Sequence, residues 1–133
     1  MRLLCDPLGD AGSPNVDFVG CKVTNTATTI TIAVRVAGTI TDDSQYRLNL
    51  KTTSFNGQLK YNAGKVTSPL HSLVVTRPDA SELDFTFNRS EVGLSGSGAL
   101  QWSAEAQQGI PGQPSVGFPD DMPNSGYFLY VVR

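Results

Sequence analysis

The chain has 133 residues, a size that suits one domain with a substantial core and leaves little room for two. Ten Lys and Arg residues stand against twelve Asp and Glu, and this formal net charge of −2 argues against a nucleic-acid-binding protein, which needs a basic surface to displace counterions. No stretch approaches the ~20 consecutive apolar residues of a membrane-spanning helix, and one His with two Cys leaves few ways to build a transition-metal or nucleophilic site.

The composition is poor in charge and rich in small polar residues. Charged residues make up 17% of the chain, whereas Gly, Pro, Thr and Ser together make up about a third of it. The branched Thr side chain suits strands, and the other three residue types favour turns. This composition is typical of an extracellular protein. We also expect a single domain, 1–133, excised as a module from a larger secreted protein, with its leader not present in this chain.

Two cysteines lie near the amino terminus. Cys5 and Cys21 enclose 15 residues, and a disulfide closing that loop would stabilise the fold by roughly 3 kcal/mol on the chain-entropy model. The alternative is a pair of free thiols that behave as small apolar side chains.

Three carboxylates share the same segment. Asp6, Asp10 and Asp17 lie within twelve residues, among Gly and Pro residues that favour tight turns. Carboxylate oxygens suit a hard cation, so the segment predicts a structural Ca²⁺ site, with Asp120 and Asp121 completing the shell if their loop folds back. The alternative is that short acidic side chains simply favour turns.

Alternation of apolar and polar residues predicts strands along most of the chain. The clearest run is 29–36, in which the even-numbered Ile and Val residues share one face. Further strands are expected at 46–51, 83–87, 100–106 and 127–132, with weaker ones at 16–24, 58–62 and 71–77.

Turn sequences separate these runs. Asn56-Gly57 predicts a tight hairpin, because both residue types accept positive φ. Within 89–93, Ser90 and Gly93 predict the cap and the end of one helical turn. Eight or nine short strands joined by turns predict an all-β fold, an antiparallel β-sandwich of the jelly-roll or immunoglobulin-like kind.

The last predicted strand follows a long irregular stretch. Residues 107–126 contain four Pro and four Gly, and loops longer than ~12–15 residues in a compact domain are usually functional or disordered. The strand at 127–132 is apolar on both faces. It is either buried under this loop or presents one face to a partner.

Catalytic signatures are missing from the sequence. His71 is the single candidate base, and its alternating surroundings favour a strand histidine without a catalytic role. Adjacent acid pairs such as Asp42-Asp43 are not placed across a cleft as glycosidase chemistry requires. We therefore expect a protein that is not an enzyme.

Several segments in chain order resemble the DOMON-like domains, which include the family 9 carbohydrate-binding modules. These segments are the Asp-Pro-Leu-Gly-Asp sequence at 6–10, the Thr-rich strand at 29–36 and the Tyr-Arg-Leu-Asn-Leu run at 46–50. The stretches 83–93 and 118–126 are similar to later parts of the same group. The resemblance implies a secreted β-sandwich that binds sugars, with structural calcium on the early aspartates.

Sugar binding calls for exposed aromatic rings that stack on pyranose faces beside polar groups. Trp102 alternates with Leu100 and Ala104, which favours a core position for that residue over ligand binding. The aromatic candidates for ligand binding are Trp102, Phe118, Tyr127, Tyr61 and Tyr130.

The function expected from these observations is a non-catalytic extracellular module for carbohydrate or cell-surface recognition. Its partner would be a polysaccharide, a cell-surface glycan or neighbouring protein domains, with no nucleic acid and no membrane insertion. The alternative is a structural or assembly module of a surface layer, a filament or a multidomain secreted protein.

Overall fold

Two antiparallel sheets pack face to face in a computed structural model that describes residues 14–108, 120–122 and 126–133. Two short 3-10 helices, Pro14–Val16 and Arg89–Val92, accompany the sheets. The strands are β1 (Phe18–Asn25), β2 (Thr29–Val36), β3 (Ser44–Lys51), β4 (Asn56–Asn62), β5 (Lys65–Thr67), β6 (Val74–Thr76), β7 (Glu82–Asn88), β8 (Gly98–Gln108), β9 (Asp120–Met122) and β10 (Phe128–Val132).

The strand order brings distant segments together. The four-stranded sheet has the order β1-β2-β7-β6, and the six-stranded sheet has the order β10-β8-β3-β4-β5. The short strand β9 also pairs with β8, where Met122 lies opposite Ala104, while Phe128 of β10 lies opposite Trp102. Strands β9 and β10 therefore follow one another along the same edge of β8.

The all-β antiparallel sandwich is confirmed, with ten strands in the described residues where eight or nine were expected. The two additional strands, β5 and β9, have three residues each, which is too few to produce a recognisable alternation. The strand expected at 71–77 is shorter, and His71 lies in an exposed turn before it. The prediction of a strand histidine is therefore wrong.

The core lies between the sheets and contains the apolar half of each alternating strand. Trp102, Tyr46, Phe18 and Phe85 are among its largest fully buried side chains, each contributing about 1.5–3 kcal/mol through removal of apolar surface from water. The Tyr46 hydroxyl donates a hydrogen bond of 2.7 Å to the Asn15 carbonyl. Burial raises the pKa of Tyr46 above its ordinary value, and the bonded hydroxyl keeps the phenol satisfied inside the core.

The Asn56-Gly57 pair does not form the predicted hairpin turn. Both residues belong to β4, and the turn before it is closed by a 2.8 Å hydrogen bond from the Thr52 amide to the Phe55 carbonyl. Glycine at position 57 suits close packing instead: a Cβ there would lie 2.7 Å from the Phe55 ring and 3.2 Å from Pro69, so a larger residue would require these side chains to shift. Close packing, rather than positive φ, explains this glycine.

The helical turn expected at 89–93 is present, but its cap differs from the prediction. The cap position is Asn88, whose side chain makes no capping hydrogen bond, so the assignment of Ser90 as the cap is wrong. Gly93 ends the turn with φ of 75°, as expected for a residue that must enter the left-handed region.

Glu91 connects this turn to the segment before β6. Its carboxylate accepts hydrogen bonds from the amides of His71, at 2.9 Å, and Ser72, at 2.8 Å, and from the Ser72 hydroxyl. Bonds from Ser72, first of all from its hydroxyl, lower the pKa of Glu91, because they favour the ionised carboxylate.

Arg89 joins three chain segments at one end of the sandwich, next to the β1–β2 turn. The residue is only 4% exposed, and its guanidinium donates hydrogen bonds to four main-chain carbonyls. These belong to Leu94 at 2.9 Å, Gly96 at 3.0 Å, Thr26 at 2.7 Å and Arg133 at 3.1 Å. One side chain thus joins the β1–β2 turn, the segment before β8 and the residue that follows β10.

Candidate functional site

The structure describes only some of the predicted cation ligands. Asp6 and Asp10 lie outside the described residues. Asp17 is 3% exposed just before β1, whereas Asp121 is exposed on β9, and the backbone of Asp120 pairs with Ala106. The described ranges contain no group of three or more His, Cys, Asp or Glu residues that would hold a metal ion, so the calcium site stays a prediction.

The predicted disulfide has one partner in the structure. Cys21 lies on β1 and is buried, while Cys5 lies outside the described residues. The Cys5–Cys21 pairing therefore also stays a prediction.

Two of the predicted aromatic binding residues are core residues. Trp102 is 2% exposed and Tyr61 is 8% exposed, because both occupy the inward half of an alternating strand. The Trp102 ring lies 4.8 Å from that of Phe128, measured between centroids. Neither residue can stack on a ligand, so both assignments are wrong, and the alternative core position of Trp102 is confirmed.

Tyr127 remains as an exposed aromatic candidate. It is 52% exposed immediately before β10. Phe118 lies outside the described residues.

The outward side of the six-stranded sheet carries a connected set of polar side chains, which we call the polar face. Successive strand residues point to opposite sides, so the residues that alternate with the core positions of β3, β4 and β8 all point outward. Antiparallel pairing then aligns them in rows: Asn49 lies opposite both Gln58 and Ser103, and Arg47 lies opposite Glu105. The polar face consists of Arg47, Asn49, Gln58, Ser103, Glu105 and Gln107.

Asn49 is the centre of the hydrogen-bond network on this face. Its amide nitrogen donates to the Ser103 hydroxyl at 3.1 Å and to Glu105 Oε1 at 2.9 Å. Its carbonyl oxygen accepts a bond of 2.9 Å from Gln58 Nε2. The network fixes the orientation of three neighbouring strands' side chains before any ligand arrives.

Arg47 continues the network towards the other end of the sheet. Its Nη2 donates to Glu105 Oε2 at 3.2 Å and to Gln107 Oε1 at 3.4 Å. Both carboxylate oxygens of Glu105 are therefore engaged, one by an amide and one by a guanidinium. Such charge-assisted bonds restrict side-chain motion more than neutral ones do.

Asp121 lies beside this network, opposite Glu105 across the β8–β9 pair. Desolvation, followed by the negative charge of Glu105, raises the pKa of Asp121, and the Arg47 guanidinium opposes the shift. Two carboxylates thus lie side by side next to one guanidinium.

An apolar border lies on the same outer side of the sheet, along the part of β8 that precedes the polar-face residues. Leu129 and Val131 of β10 are 65% and 52% exposed and lie opposite Gln101 and Ala99 of β8. We define the apolar border as Tyr127, Leu129 and Val131. Next to it is a shallow depression of about 350 Å³ lined by Lys51, Thr52, Thr53, Ala99, Gln101 and Leu129.

The arrangement suits binding of a flat, polar ligand. Planar amide, carboxylate and guanidinium groups offer donors and acceptors at fixed positions, and the apolar border offers a surface for C–H groups. The sequence contained a usable signal, because these residues are the polar half of the same alternation that predicted the strands. The sequence alone did not show that β3 pairs with β8, because 46 residues of chain separate these two strands.

No protein-family model and no curated protein sequence matches this chain. The resemblance to DOMON-like domains therefore stays a prediction. None of the helices in the described ranges has the length and apolarity needed to cross a bilayer.

Proposed function

We propose that the protein is a non-catalytic extracellular binding module that takes a carbohydrate on the polar face. The observation that carries the proposal is the hydrogen-bonded network around Asn49, with the exposed Tyr127 and Leu129 at the edge of the same sheet. A sugar presents hydroxyl groups around its edge and C–H groups on its faces, so a site for it combines fixed polar groups with apolar surface.

Preorganisation supports the proposal. Binding normally costs about 0.5–1.5 kcal/mol for each flexible side chain that becomes immobilised. On the polar face, Asn49, Arg47 and Glu105 already hold one another through bonds of 2.9–3.2 Å. A ligand that replaces water on this face therefore orders few new groups.

The open geometry indicates a chain rather than a single small sugar. The polar face spans three adjacent strands, β4, β3 and β8, and neighbouring strands are about 4.8 Å apart. An open sheet face of this width accommodates more than one sugar unit lying across the strands. An extracellular location agrees with the low charge and the high Thr and Ser content.

The test is a titration with a panel of soluble polysaccharides, by affinity gel electrophoresis followed by calorimetry. Asn49→Ala should weaken binding about tenfold, since it removes the centre of the network. Thr31→Ala is the matched control, because Thr31 makes a 2.9 Å bond to Thr86 on the outer side of the opposite sheet. Tyr127→Ala should also weaken binding, whereas Val74→Ala, at an equally exposed apolar position of that opposite sheet, should not. Absence of binding to every polysaccharide would refute the proposal.

The apolar border favours assembly with a second copy of the chain as the alternative function. Strand β10 is an edge strand without charged residues, and an uncharged edge strand invites pairing with another strand. Antiparallel pairing of β10 with itself is self-complementary, because Leu129 and Val131 of both copies would meet on one face. Sedimentation at rising protein concentration tests this alternative, with Leu129→Glu expected to keep the protein monomeric. A wild-type protein that stays monomeric throughout would exclude it.

A further inference from the structure

The outer side of the six-stranded sheet is basic although the chain as a whole is acidic. Its outward positions carry four cationic residues against two acidic ones, whereas the whole chain has a net charge of −2. The outer side of the four-stranded sheet is balanced, with Lys22 and Arg35 against Glu82 and Asp84. The residues on the basic side are Arg47, Lys51, Lys60 and Lys65, with Glu105 and Asp121.

Three of these cations have no acidic partner in the described ranges. Arg47 forms an ion pair of 3.2 Å with Glu105, but Lys51, Lys60 and Lys65 form none there. On the opposite sheet, Arg35 is paired at 2.9 Å with Asp79, and among the described residues Lys22 is the one cation of that outer side without an ion pair. The unneutralised positive charge is therefore concentrated on the side that carries the polar face.

The lysines lie on either side of Asn49 along the strands. Lys60 lies opposite Arg47 on one side, and Lys51 lies opposite Gln101 on the other, where it lines the depression beside Leu129. Residues 47 and 51 are four positions apart on one strand, about 13 Å. A polymer with repeated negative groups spans this distance, whereas a single small anion does not.

We infer that the ligand of the polar face is an acidic polysaccharide, whose repeated anionic groups contact Lys51 and Lys60 while its hydroxyl groups contact the network around Asn49. The inference rests on the proposed carbohydrate-binding function and adds the charge of the ligand to it. Uronate carboxylates and sulfate esters share the required chemistry. Each exposed contact of this type contributes little by itself, so the effect depends on several acting together.

The experiment compares polymers that differ in charge. The probes are polygalacturonate, its fully methyl-esterified form and dextran sulfate, each titrated at low and at moderate salt. We expect polygalacturonate or dextran sulfate to bind about tenfold more tightly than the esterified polymer, with the difference shrinking as salt screens the charges. Binding of polygalacturonate alone would identify carboxylates as the recognised groups, and binding of dextran sulfate alone would identify sulfates.

Matched variants separate this inference from the proposed function. The double variant Lys51→Gln/Lys60→Gln should lose about fivefold to tenfold in affinity for the acidic polymer and keep its affinity for the esterified one. Lys22→Gln, an exposed lysine on the opposite sheet, is the control and should change neither. Equal affinity for charged and esterified polymers overturns the inference and leaves carbohydrate binding intact. Failure to bind any polysaccharide overturns both, and equally tight binding of single-stranded DNA overturns the inference in favour of a general polyanion surface.

Discussion

Replacing Arg89 tests how the end of the sandwich next to the β1–β2 turn is held together. The side chain is 4% exposed and donates to four main-chain carbonyls that belong to three separate segments. Arg89→Met keeps the length and apolar stem of the side chain but removes every donor. The variant therefore isolates the contribution of the guanidinium.

The expected cost follows from the burial of each bond. The bond to Leu94 is buried, so losing its donor leaves an unsatisfied carbonyl at about 1–3 kcal/mol. The other three bonds are partly buried, and because water can replace the donor, each costs about 0.5–1.5 kcal/mol. Relief from burying a charge offsets part of this loss. We expect a net destabilisation of about 3–5 kcal/mol, a fall in Tm of about 10–15 °C for a chain of this size.

The assay is urea unfolding followed by fluorescence of Trp102, the single tryptophan and a fully buried one. Arg89→Lys should lose an intermediate amount of stability, because the lysine keeps the positive charge but its ammonium group cannot reach all four carbonyls at once. Arg77→Met is the matched control: Arg77 is exposed and makes one 3.0 Å bond, to the Ile40 carbonyl, so it should cost about 1 kcal/mol. If Arg89→Met costs no more than this control, Arg89 does not join these segments and the reasoning is wrong.

Further predictions concern backbone strain, pH and the amino-terminal segment. Gly93→Ala should destabilise the fold by about 2–4 kcal/mol, because the residue has a φ of 75° and the new Cβ would clash with the Ser54 side chain. Gly64→Ala is the control: it has a φ of 79° but open space around it, so it should cost only about 1 kcal/mol of backbone strain. Equal losses of stability in denaturant unfolding would contradict the clash at Gly93. Because the fold raises the pKa of Asp121, the protonated carboxyl is favoured in the folded protein. Its contribution to stability is therefore present below the ordinary pKa of Asp and is lost as pH rises through the raised pKa. Asp121→Asn should raise Tm at neutral pH, where the carboxylate is ionised, and leave Tm unchanged near pH 3. Native and reduced masses should differ by two hydrogens if the cysteines are bridged, and identical masses would exclude the disulfide. Calcium should raise Tm and a chelator should lower it. An unchanged Tm would mean that Asp6, Asp10 and Asp17 favour turns and do not bind calcium.

The sequence by itself determined the fold class and most of the strands. Alternation in 29–36 predicted β2 to the residue, and the Leu-Asp-Phe-Thr-Phe run at 83–87 predicted the centre of β7. Alternation is a local property, because each residue needs only its neighbours to establish which side of a strand it occupies. The same property favoured a core position for Trp102, and its exposure of 2% shows that it follows the apolar half of β8.

Only the tertiary structure decided which polar residues become neighbours. Asn49 and Ser103 are 54 residues apart in sequence, and their hydrogen bond depends on the register between β3 and β8. Register arises from the packing of the whole core and from the turns, and no local pattern specifies it. For the same reason the sequence pointed to scattered aromatic and acidic residues, whereas the polar face, the apolar border and the role of Arg89 emerged once distant strands had been placed side by side.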